Sequence, residues 1–101
     1  MTPRYEVVIW YKADPAQDLP ERIIAQVGKK PHERFEMQGH EDMHFVFKTG
    51  DSAIKCAERL FEFAAMDSVV KLVVNGYGDE AFERKVYKDK RLNSAAGNTN
   101  T

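Results

Sequence analysis

The densest run of potential metal ligands is His40-Glu41-Asp42-Met43-His44, with His32 upstream. A zinc site needs three or four converging N, S or O ligands, and an HxxxH pair converges when both histidines lie on one helix a turn apart. Here the pair straddles a turn and a strand, and four residues of extended chain separate the α-carbons by about 13 Å. The spacing therefore assigns no metal. Cys56 falls in the middle of a helical pattern beside Lys55 and Arg59. It lies away from a helix N-terminus, where a thiolate is best stabilised, so it reads as a small buried side chain. Glu41-Asp42 and Asp79-Glu80 are carboxylate pairs in turn sequences, where solvated charge is the ordinary role. GxSxG, Walker A and GxGxxG sequences are absent, and Gly76-Tyr77-Gly78 is too short to cradle a phosphate alone. No catalytic residue, metal or cofactor is nominated.

The 101 residues amount to one domain, and the single cysteine excludes an internal disulfide, a zinc ribbon and a CxxC redox centre. Lys+Arg (15) and Asp+Glu (16) nearly cancel, which removes the whole-domain electrostatic case for a dedicated nucleic-acid binder. No apolar stretch approaches the roughly 20 residues of a membrane-spanning helix, and Met1-Thr2-Pro3-Arg4-Tyr5-Glu6 lacks the apolar core of a secretory signal. The expectation is a cytoplasmic protein with no membrane partner.

The elements that would position a site follow from periodicity. Tyr5 to Lys12 is β-branched and aromatic, a strand whose Tyr5, Val7, Ile9 and Tyr11 face a core and whose Glu6, Val8, Trp10 and Lys12 face away. Asp18-Leu19-Pro20-Glu21 has the form of a capping box, and Leu19, Ile23, Ile24 and Val27 recur at helical spacing before the Gly28 stop. Phe35 and Met37, then Met43, Phe45 and Phe47, alternate on either side of Gly39-His40-Glu41-Asp42, which predicts a hairpin. Thr49-Gly50-Asp51-Ser52 leads into a helix over 53–66, with Ile54, Ala57, Leu60, Phe61 and Ala64 on its apolar stripe. Val69 to Val74 is the last strand of the core domain, ended by Asn75-Gly76.

The order β-α-β-β-α-β predicts an α+β ferredoxin-like fold over residues 1–78, a four-stranded antiparallel sheet in the order 4-1-3-2 with two helices on one face. Residues 79–92 form a C-terminal extension in which Phe82 and Val86 suit a short helix. Residues 93–101 hold no large apolar side chain, and such a tail is predicted to be disordered.

Helices on one side leave the opposite face of the sheet open, and function is expected there. Alternation places Glu6, Val8, Trp10 and Lys12, then His44, Val46 and Lys48, then Val69, Lys71 and Val73 on that face, with Arg34, Glu36 and Gln38 on the second strand. An apolar centre of Val8, Trp10, Val46 and Val73 with lysines at its rim suits a homodimer or another protein partner, with Trp10 as anchor. In a competing arrangement, Phe82 and Val86 fold back over the patch.

Two other functions share the topology. RNA-recognition domains stack bases on open-face aromatics, for which Trp10, His44, Lys12, Lys48 and Lys71 are candidates. Asp42 to Lys48, however, departs from the [KR]-G-[FY]-[GA]-[FY]-[ILV]-x-[FY] pattern of their third strand. A small dimeric ferredoxin-like enzyme would enclose a pocket between sheet and helices, lined by Tyr5, Tyr11, Phe35 and a histidine; that reading rests on topology alone. Glu83 to Arg91 holds five cations against two anions, a solvated basic segment. The sequence favours a non-catalytic interaction or regulatory module.

Overall fold

A computed structural model describes residues 2–14 and 16–91 of the chain. The expected disordered tail, 93–101, lies outside the described residues. The fold is α+β, with five antiparallel strands in one open sheet and helices packed on it. The strands are β1 (Arg4–Lys12), β2 (Glu33–Met37), β3 (His40–Phe47), β4 (Val69–Tyr77) and β5 (Lys85–Asp89). The helices are α1 (Leu19–Val27), α2 (Gly50–Arg59) and the short α3 (Phe61–Ala64). The sheet order is β2-β3-β1-β4-β5.

The first four strands follow the expected neighbour relations, but the fifth makes this something other than a strict four-stranded ferredoxin-like sheet. β5 stands where the sequence predicts a short helix. Strand β4 runs on to Tyr77, so its outer edge carries N–H and C=O groups that need partners, and pairing with β5 supplies them. A helix laid on the edge would leave them open. Lys85 and Lys88 of β5 are ordinary on an edge, where charge discourages further pairing.

The core cluster joins Tyr5, Val7, Ile9 and Tyr11 of β1 to Met43, Phe45, Leu72 and Val74, and beneath them Leu19, Ile23 and Val27 of α1 with Ala53, Cys56 and Ala57 of α2. All three helices contribute to this one cluster, so they lie on the face shown by the odd-numbered residues of β1. Each fully buried Ile, Leu, Val or Phe side chain contributes about 1.5–3 kcal/mol.

Helix α1 ends as expected, with Gly28 left-handed at φ 85° and its N–H donating to the Ile24 carbonyl. Its start differs from a capping box: Asp18 makes no side-chain cap, and Pro20 supplies a first-turn residue that has no N–H to satisfy. Thr49 does cap α2, its Oγ1 accepting from the Ser52 N–H at 3.1 Å. The expected single helix over 53–66 divides at Leu60. Phe63 rather than Phe61 is buried, and Phe61 remains half exposed. Among the described residues, no helix is long and apolar enough to cross a membrane.

Candidate functional site

The hairpin turn decides what the open face shows. Gln38 (φ 52°) and Gly39 (φ 79°) are both left-handed, the geometry of a two-residue turn that matches strand twist. It pairs Met37 with His40, Phe35 with Asp42 and Glu33 with His44. Residues directly opposite share a face, so Phe35 and Met37 stand on the open side. Arg34 and Glu36 stand on the helix side, opposite Met43 and Glu41. The expected open-face placement is therefore inverted for Arg34 and Glu36, because the turn occupies two residues rather than the longer polar run from Gly39 to Asp42, while Gln38 lies in the turn itself. Val69, also expected on the open face, stands opposite Tyr11 past a register shift in the β1–β4 ladder and is buried in the core.

Pairing across the sheet builds the face in rungs. One rung reads Glu33, His44, Val8, Val73 and Val86; the next reads Phe35, Asp42, Trp10, Lys71 and Asp89. Val8 (4% exposed) and Val73 (0%) are buried without joining the main core, so they form the floor of the face rather than its surface. Trp10, His44, Val46 and Lys71 are half-buried. Lys48 lies past the end of β3 in the bend before α2, and Lys12 lies at the end of β1 opposite His40. Val86 joins the face beside Val73 through β5. Phe82 goes to the other side, its ring edge-on to Tyr5 at 5.1 Å. The C-terminal segment thus widens the sheet instead of lying across it.

Around Trp10 lies an open depression of about 650 Å³ lined by Trp10, Phe35, Met37, Gln38, His40, Asp42, His44, Lys71 and Arg91. The Trp10 ring has the Arg91 guanidinium 4.8 Å from its centre and the His40 ring 5.5 Å away. Phe35 meets His44 edge-on at 5.4 Å. Phe35 and Met37 are 50% and 72% exposed, so one wall offers apolar surface to solvent. Charges of both signs surround it. Burial pushes the Lys71 ammonium below its usual range, and Arg91 and Arg84 add to the shift while Asp89 and Asp42 oppose it.

His44 has the chemistry of an acid or base and is half-buried, and its contacts use both ring nitrogens. Nδ1 lies 3.1 Å from Glu6 Oε1 and Nε2 lies 3.3 Å from Asp42 Oδ2. A general base needs a nitrogen within reach of a substrate proton. With both engaged, the imidazole ties β1 to β3. His40 and His44 lie two rungs apart on β3, and no group of three or more His, Cys, Asp or Glu among the described residues is arranged to hold a metal ion. Cys56 is fully buried, its thiol pushed up to about 11 chiefly by desolvation.

On the helix side, Tyr11 donates to Glu41, which also receives Arg34 through Nε and Nη2 at 3.0–3.2 Å. The lining expected for an enzyme pocket does not assemble: Tyr11 is fully buried in this network and Phe35 faces the other way.

Sequence reasoning thus brought together Trp10, Gln38, His44 and Lys71 on this face, and missed Phe35, Met37, His40, Asp42 and Arg91 there. A closer reading of Gln38-Gly39 as a two-residue turn would have found Phe35 and Met37. Arg91 left no local signal, because its place over Trp10 depends on β5. No protein-family model, curated protein or solved structure matches the chain.

Proposed function

We propose that this protein is a non-catalytic interaction module whose open sheet face takes a segment of a protein partner, with Trp10 as the anchoring contact. The observation that carries this reading is the depression itself: a half-buried indole at its floor and exposed Phe35 and Met37 on its wall. Aromatic anchors in partly enclosed apolar pockets carry a disproportionate share of interface energy. Lys71 and Arg91 stand among Asp42, Asp89 and Glu6 on this face. The mixed rim suits a polypeptide of both charge signs better than a phosphate backbone, which needs excess cation.

Panning a peptide library on the full chain, read by the emission of its single tryptophan, tests the proposal. Selected peptides should shift Trp10 emission, and Trp10→Ala should weaken them by at least about 2 kcal/mol, roughly thirtyfold. Peptides that bind Trp10→Ala as well as the native chain would place the partner elsewhere.

A further inference from the structure

Strand β2 is an edge of the sheet, the last strand beyond β3. All five residues of Glu33-Arg34-Phe35-Glu36-Met37 are exposed. An uncovered edge strand is a template for another strand, and proteins usually protect it with charged side chains, lysine above all, with proline, a bulge or a covering element. The opposite edge has such protection: β5 carries Lys85 and Lys88, and its pairing with β4 has a register break between Leu72 and Val73. Strand β2 has no lysine, no proline and an unbroken register with β3, and its charges, Glu33, Arg34 and Glu36, are of both signs, so they repel a strand in some registers and match it in another.

We propose that β2 pairs antiparallel with β2 of a second copy about a two-fold axis at Phe35, joining two sheets edge to edge. The register follows from backbone and charge together. A two-residue hairpin closes on a hydrogen-bonded pair, here Met37 with His40, so Met37, Phe35 and Glu33 direct their backbone groups toward β3. Arg34 and Glu36 direct theirs outward. Only these can bond across the new edge, which leaves three two-fold registers. Centring on Arg34 sets arginine against arginine, and centring on Glu36 sets glutamate against glutamate. Centring on Phe35 sets Arg34 of each copy opposite Glu36 of the other, with phenylalanine on phenylalanine at the axis.

An unmatched charge within the chain favours the same occupant. Glu36 stands directly opposite Glu41 in the β2–β3 ladder, a like-charge pairing. Arg34 spends Nε and Nη2 on Glu41, and Glu36 has no ion-pair partner among the described residues. A second copy brings one arginine to each Glu36 and sets the two Phe35 side chains next to each other on the open side. This goes beyond the open-face reading, because Trp10 takes no part in the pairing.

Phe35 at the axis of an antiparallel, non-hydrogen-bonded pair would face its counterpart with α-carbons about 4.5 Å apart, within the range a disulfide spans. Met37 would lie about 13 Å from its own counterpart. Under mild oxidant the full-length Phe35→Cys variant should therefore form a covalent dimer and Met37→Cys should not; Cys56 is buried and does not compete. In sedimentation of chains with native cysteine content, Glu36→Arg should weaken association about tenfold by setting arginine against arginine twice, with the monomer's thermal midpoint unchanged or raised. Trp10→Ala should leave it unaltered, so failure here is distinct from failure at the open face. A chain that stays monomeric up to about 1 mM, a weak limit for so small an interface, would overturn the proposal. Equal cross-linking of both cysteine variants would overturn it too.

Discussion

Arg91 holds its guanidinium 4.8 Å from the centre of the Trp10 ring, so the indole at the middle of the open face is capped by a cation rather than bare. The cap comes from the residues just after β5, and the aromatic floor comes from β1. A partner that seats on Trp10 must share the ring with Arg91 or move it aside. Arginine over an indole contributes about 0.5–1 kcal/mol at exposed sites and more when desolvated, a small barrier to displacement.

Removal of the cap should be visible directly, because Trp10 is the single tryptophan of the chain. Arg91→Ala is expected to red-shift Trp10 emission and to raise its quenching by acrylamide, with the circular dichroism of the sheet retained. Unchanged emission and quenching would show that Arg91 does not shield the ring in solution.

The close approach at Gly76 gives a second expectation. A Cβ there would lie 2.6 Å from Phe82 Cδ2, 3.0 Å from its Cγ and 3.1 Å from its Cβ. These last two atoms are near the Phe82 backbone and have little room to yield. Gly76→Ala should destabilise the fold by about 1–3 kcal/mol, the usual range for overpacking. In a Phe82→Ala background the same change should cost much less, and equal losses in both backgrounds in urea titrations would refute the contact.

Stability should also decline in alkali, and Cys56 fixes where. Its thiol is raised from 9.0 to about 11 in the folded chain. Between those values the unfolded chain has lost a proton that the folded chain keeps, so unfolding is favoured as pH rises. Burial raises the Tyr11 hydroxyl as well, with its bond to Glu41 adding to the effect, which extends the same trend above pH 10. The thermal midpoint should fall from about pH 9 upward, and Cys56→Ala should flatten the first part of that fall. A parallel decline in native and variant chains would assign it to other groups.

The sequence made much of the helix-covered side legible and less of the open side. Tyr5, Val7, Ile9 and Tyr11 alternate without interruption, and β1 is central, so their burial follows from local pattern alone. Phe35 and Met37 alternate as clearly, but alternation does not say which set faces in; the turn does, through pairing with β3. Phe61 and Phe63 posed a similar choice, decided by how α3 meets the sheet rather than by helical spacing. Lys85-Val86-Tyr87-Lys88 is too short and too charged to announce a strand, and it becomes one only because β4 offers an unpaired edge. The site inherits these non-local decisions, since Arg91 reaches Trp10 by way of β5.

The tight corner at Gln38-Gly39 makes the chain intolerant of a length change at that spot. One inserted amino acid would roll β2 half a turn about its axis, sending two apolar side chains inward and stripping Glu41 of its guanidinium. Variation among descendants of this sequence should therefore substitute within the corner and seldom lengthen it.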